Sequence, residues 1–137
     1  MKIKNFALLA GVAGLLAACG GCIVEPADLN DQRVFFDFNS AEITEDAKNN
    51  LLGQALYMKN HEDVKIQIAG NCDERGSTEY NLALGARRAN AAQSVIVNDG
   101  ISAKRIYTIS YGNERPLVQG SGEEVWKWNR NATTTVK

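Results

Sequence analysis

Beyond residue 31, the apolar residues of this chain switch repeatedly between a period of two and a helical period. That alternation restricts the fold more than any other feature. Residues 33–38, Arg-Val-Phe-Phe-Asp-Phe, are β-branched and aromatic and read as a strand. Thr44 is placed to cap a helix that carries Glu45 and Asp46 in its first turn, where the helix dipole favours negative charge. Ala47, Leu51, Leu52, Ala55 and Leu56 then recur at helical spacing and predict one buried face. Val64, Ile66 and Ile68 alternate with Asp63, Lys65 and Gln67, the pattern of a half-buried strand. A second helix starts near Thr78, with Tyr80, Leu84, Ala91 and Val95 along one side and Gly100 suited to its C-terminal cap. Residues 106–111 form a third strand, residues 123–128 a short helical turn and residues 132–136 a late strand. Strands alternating with helices predict a two-layer α/β or α+β domain.

Composition narrows the function. The 137 residues carry 15 Lys plus Arg against 16 Asp plus Glu, a formal charge of −1, so no basic excess points to nucleic acid. One histidine, His61, rules out any site that needs two imidazoles, and no metal or other cofactor is expected. These features favour a binding module over an enzyme.

The N-terminus reads as a targeting segment. Lys2 and Lys4 precede an uncharged, mostly apolar run over residues 6–18, the layout of a secretory signal peptide. A transmembrane helix is the competing reading, but Gly11, Gly14, Gly20 and Gly21 dilute the run and no basic stop follows it. Leu16-Ala17-Ala18-Cys19 resembles the lipobox of bacterial lipoproteins. That resemblance implies cleavage after residue 18, acylation of Cys19 and a 119-residue product of formal charge −3. Two or three acyl chains hold a protein firmly to a membrane. Gly20 follows Cys19 where Asp favours retention in the inner membrane, so the resemblance implies the outer membrane. Residues 19–31 contain two Gly besides a Pro and have no sustained period, and they read as a tether. The folded domain is then expected over residues 32–137. Cys22 and Cys72 remain, and sequence alone does not set the distance between them.

Residues 70–81, Gly-Asn-Cys-Asp-Glu-Arg-Gly-Ser-Thr-Glu-Tyr-Asn, join the second strand to the second helix, where α/β folds commonly place ligands. Asn81 and Arg88 lie seven residues apart and so share one helical face, and Asp73 reaches the same end from the loop. An acid and a guanidinium facing one groove can clamp a zwitterion. They can equally pair with each other or cap the helix.

Residues 70–90, continuing through Leu84 and Gly85-Ala86-Arg87-Arg88-Ala89-Asn90, resemble the signature of the OmpA-like peptidoglycan-binding domain, in the form carried by peptidoglycan-associated lipoproteins. Supporting features are residues 34–39 (Val-Phe-Phe-Asp-Phe-Asn), residues 109–116 (Ile-Ser-Tyr-Gly-Asn-Glu-Arg-Pro) and Asn129-Arg130. The resemblance implies an α+β, two-layer sandwich of order β-α-β-α-β-β, with a mixed sheet and helices on one face. It also implies a non-catalytic protein that binds the diaminopimelate side chain of the peptidoglycan stem peptide. Asp73 would then take the ammonium and Arg88 a carboxylate, with Asn81 supporting and Phe36, Asp37 and Asn39 completing the groove. The implied partners are peptidoglycan, TolB and other Tol proteins, and the outer membrane through the lipid. The chain departs from the family pattern at Asn71, commonly His, and at Asn131, usually a second Arg.

Two other readings compete. A thiol hydrolase would pair Cys72 with His61, but a strand's length of roughly 20 Å separates them. A protein-partner scaffold would use Trp126 and Trp128 as anchors, although both could instead cover a sheet edge.

Overall fold

The computed structural model describes residues 23–137. A four-stranded mixed sheet is built from β1 (Gln32–Phe35), β2 (Ile66–Asn71), β3 (Ile106–Gly112) and β4 (Asn131–Val136), in spatial order β1-β4-β2-β3. β4 runs antiparallel to both of its neighbours, Gln32 opposite Thr134 and Ile68 opposite Thr134, while β2 and β3 are parallel. Helices α1 (Glu45–Asn60) and α2 (Thr78–Asn98) cover one face. The two-layer α+β arrangement with a mixed sheet is therefore as expected, with a third helix, α3 (Glu123–Asn129), inserted between β3 and β4. No described helix is long and apolar enough to cross a membrane.

Both long helices begin on a side-chain cap. Thr44 Oγ1 accepts from the Ala47 N–H at 3.2 Å and Ser77 Oγ from the Tyr80 N–H at 3.0 Å, each satisfying an amide with no partner inside its helix. Their buried stripes differ from the periodicity reading. On α1, Gln54 and Met58 are buried while Leu52 and Leu56 are only partly so. On α2 the stripe is Asn81, Leu84, Gly85, Arg88, Ala89, Ala92 and Ile96, and Tyr80 is exposed. The helix turns two polar side chains inward because loop carbonyls receive them there. β1 ends at Phe35, earlier than expected, and releases residues 36–38 into the loop that leads to α1.

The core joins Val34, Ile66, Ile68, Ile106 and Ala132 of the sheet to Leu51, Ala55 and Met58 of α1 and Ala92 and Ile96 of α2. Each large aliphatic side chain contributes about 1.5–3 kcal/mol by leaving water. Gln54 threads this core by accepting from Thr134 Oγ1 at 2.7 Å and donating to Asn50 at 2.7 Å. The expected domain boundary falls inside the folded unit. Leu29 is 0% exposed in the core and Glu25 accepts from Asn60 at 2.9 Å, so the described part of the expected 19–31 tether, residues 23–31, is attached to the domain at these points although most of it is exposed. Residues 1–22, with the expected signal segment, Cys19 and Cys22, lie outside the described residues. Among the described residues, every member of the core lies between Leu29 and Ala132.

The approach of α2 to β2 positions everything that follows. A Cβ on Gly70 would fall on the carbonyl of Gly85, and one on Gly85 would collide with Ser110 Oγ. Each position also crowds the backbone carbonyl of the other, which cannot move aside as a side chain can, so only glycine permits this spacing. Gly70→Ala is expected to lower stability in urea unfolding by about 1–3 kcal/mol, the cost of overpacking a rigid contact.

Candidate functional site

Three loops meet where β2 ends and α2 begins. Two buried guanidiniums fasten them. Arg88, 1% exposed, donates from Nε to Ser40 O at 2.8 Å, from Nη1 to Asn71 O at 2.9 Å and from Nη2 to Asp37 O at 3.1 Å. One side chain thus holds the β1–α1 loop against the end of β2. Arg130 donates from Nε to Phe36 O at 2.9 Å and grips Glu123 through both terminal nitrogens, at 3.1 and 2.7 Å. Burial pulls the proton affinity of Arg88 down, and the charge of Asp73 acts in the opposite sense.

Asp73, 4% exposed, lies between these groups. Its Oδ1 accepts the Arg75 backbone N–H at 3.0 Å and Arg75 Nε at 3.2 Å, and Oδ2 accepts Arg75 Nη2 at 2.8 Å. Arg130 Nη1 is 3.5 Å away. Burial alone would raise the Asp73 pKa, but the hydrogen bonds and charge of Arg75, with Arg130, hold it below the usual aspartate value. Arg75 is itself flanked by the rings of Phe38 and Trp126, each 3.9 Å from its guanidinium carbon. Glu74 fixes the outer rim by accepting from Trp126 Nε1 at 2.8 Å and from Ser121 Oγ.

Of the six residues expected from sequence, Asp73, Arg88, Asn81 and Asn39 line one narrow cleft with Phe38, Cys72, Arg75, Tyr80 and Leu84. Its free space, about 10 Å³, is no more than a single water needs. Asn81, 2% exposed, donates from Nδ2 to Arg75 O at 2.9 Å and braces the loop. Asp37 contributes its carbonyl to Arg88 and leaves its side chain exposed. Phe36 does not join the cleft, because its ring is buried in the core 5.2 Å from Arg88 and its carbonyl is taken by Arg130. Asp73 and Arg88 do not pair with each other: Asp73 is bound by Arg75 and Arg130, and Arg88 by three carbonyls.

The sequence reading missed Arg75, Arg130, Phe38 and Glu123. An Asp followed two residues later by Arg was a usable signal for Arg75, since such an Asp readily accepts the N–H two positions on. Arg130 comes from the far end of the chain, and only the antiparallel pairing of β4 with β1 brings it in. Trp126 sits over Arg75, while Trp128 meets Phe35 edge-on at 5.6 Å. Cys72 is buried with its thiol on Asn81 O at 3.3 Å, and burial pushes that thiol up. His61 lies at the end of α1, with Nδ1 2.8 Å from Tyr57 O and its ring stacked on Tyr57 at 3.9 Å. Among the described residues no group of three His, Cys, Asp or Glu side chains is arranged to hold a metal ion.

Residues 35–130 match the OmpA family model. The chain is similar to a peptidoglycan-associated lipoprotein of Mesorhizobium japonicum, 41% identical over 135 residues that cover 98% of this chain and 80% of the relative. It is also similar to a peptidoglycan-associated lipoprotein of Brucella melitensis, 43% identical over 104 residues, with 76% of this chain and 62% of the relative covered. Among solved structures, the crystal structure of the peptidoglycan-associated lipoprotein from Burkholderia pseudomallei superposes with a TM-score of 0.75 at 37% identity, covering 77% of this chain and 90% of that one.

Because the folded-state pKa of Asp73 is depressed, its contribution to stability is complete above the unfolded value near 3.8 and is lost as pH falls through the lower folded value. Urea unfolding followed from about pH 5 to about pH 2 is expected to show this loss, and Asp73→Asn is expected to flatten that limb of the curve.

Proposed function

The chain belongs to the OmpA family, and from that premise we propose that it is a non-catalytic outer-membrane lipoprotein that binds peptidoglycan noncovalently. One observation carries this reading. A carboxylate and a guanidinium, each more than nine-tenths buried, lie in one cleft without forming an ion pair with each other. Burying such groups costs several kcal/mol per ion unless every contact is good, and a site that must recognise a zwitterion is a reason to keep both. In the proposed complex the diaminopimelate of the stem peptide places its ammonium on Asp73. Its carboxylate meets Arg88, whose five N–H groups exceed the three committed to carbonyls. Loop residues Asn39 and Phe38 wall the cleft.

The anchoring follows the lipobox resemblance: Cys19 is acylated, and the domain faces the periplasm beside its own membrane. TolB and other Tol proteins are the proposed protein partners, with a role in envelope integrity and cell division. A competing assignment, a scaffold for protein partners alone, draws on the exposed pair Phe35 and Trp128.

Calorimetry on residues 23–137 tests the binding site. A diaminopimelate-containing stem peptide is expected to bind and a Lys-containing one to bind more weakly, since Lys lacks the second carboxylate. Asp73→Asn and Arg88→Gln are each expected to weaken binding about ten- to a hundredfold, whereas Glu74→Ala on the rim loses less. Binding to neither peptide would favour the scaffold. For the anchor, labelled palmitate is expected to enter the full-length chain in a bacterial host and to be absent from Cys19→Ser.

A further inference from the structure

In the structure the carboxylate assigned to a ligand ammonium is filled by the chain's own cation. Arg75 covers both oxygens of Asp73, at 3.2 and 2.8 Å. We propose that Arg75 sets the specificity of this site by exchanging partners, leaving Asp73 as a ligand ammonium arrives and taking the ligand's neighbouring carboxylate. The proposal rests on the peptidoglycan-binding reading above and names the residue that makes it selective.

Arg75 is the one of the three guanidiniums placed to move. Its side chain is 31% exposed, against 7% for that of Arg130. Arg88 and Arg130 are fixed by carbonyls and Glu123, and moving either would strand buried acceptors. Arg75 instead lies between two aromatic rings, Phe38 and Trp126. Stacking on a ring face has little directional demand within the plane, so the guanidinium can slide outward while it remains covered. Its backbone N–H stays on Asp73 Oδ1, which keeps the loop in place during the exchange.

Charge balance then separates ligands. A ligand end that carries only an ammonium displaces Arg75 and leaves that guanidinium without a carboxylate. Of the other acids near it, Glu123 is 4.0 Å away and already held by Arg130, and Glu74 is already bonded to Trp126 and Ser121. A zwitterionic end brings its own carboxylate, which Arg75 meets from the outer side of the cleft while Arg88 meets it from within. The exchange is therefore balanced for diaminopimelate and unbalanced for Lys. Asp73 and Arg88 bind the ligand, and Arg75 discriminates by competing with one of its charges and pairing with the other.

Calorimetry on residues 23–137 with the two stem peptides, comparing wild type with Arg75→Gln, tests this. The variant is expected to bind the Lys peptide more tightly, because nothing competes for Asp73. Its preference for the diaminopimelate peptide is expected to fall about tenfold, the loss of one charge-assisted contact. An unchanged preference, or weaker binding of the Lys peptide, would overturn the proposal while leaving the peptidoglycan-binding reading intact. Wild type that binds neither peptide would overturn both. Should the variant fail to fold, emission of Trp126 in a Trp128→Phe chain decides the matter. The diaminopimelate peptide is expected to change that emission as the cation leaves its central position on the ring, and unchanged emission with bound peptide overturns the exchange.

Discussion

The three hydrogen bonds from Arg88 to backbone carbonyls are the constraint on which the rest of the site depends. They tie residues 37, 40 and 71 to one point on α2, and so join the loop after β1 to the end of β2 through a helix that is remote in sequence from β1. A buried guanidinium is tolerable because it is bonded and because Asp73 lies nearby to compensate its charge. Arg130 repeats the device from the other end of the chain, with Phe36 O as its anchor. Loops held in this way are ordered in advance, while the cleft between them stays nearly closed, with Arg75 on both oxygens of Asp73.

Packing makes this arrangement possible. The contact between Gly70 and Gly85 lets α2 lie close against β2, and that closeness brings Arg88 within reach of Asn71 O. A larger residue at either glycine would lift the helix where the site is built. Gln54 and Thr134 show the same economy in the core, where a polar pair is kept because its hydrogen bond is complete.

Much of the fold was legible in the sequence. The alternation over residues 64–68 and the capping residue Thr44 identified β2 and α1 because each signal is local. The face of α2 was less legible. Periodicity assumes that apolar residues turn inward, but this helix buries Asn81 and Arg88 and leaves Tyr80 exposed. The expected tether over residues 19–31 is attached to the domain in its described part for a similar reason: one leucine, Leu29, suffices to anchor a segment that has no period.

Within the site, Asp73, Asn81 and Arg88 could be brought together on paper because a loop and one helix face relate them. Which groups those side chains bind could not, since sequence left open whether Asp73 and Arg88 neutralise each other. The sequence by itself determined the alternating elements, the helix starts and the residue types that converge on the β2–α2 loop, all consequences of local backbone preference and spacing. Only the tertiary structure decided that Arg130 reaches Asp73 and that Arg88 turns to carbonyls, because those contacts join residues up to 57 positions apart (Asp73 to Arg130), whose meeting depends on how β4 pairs with β1 and β2.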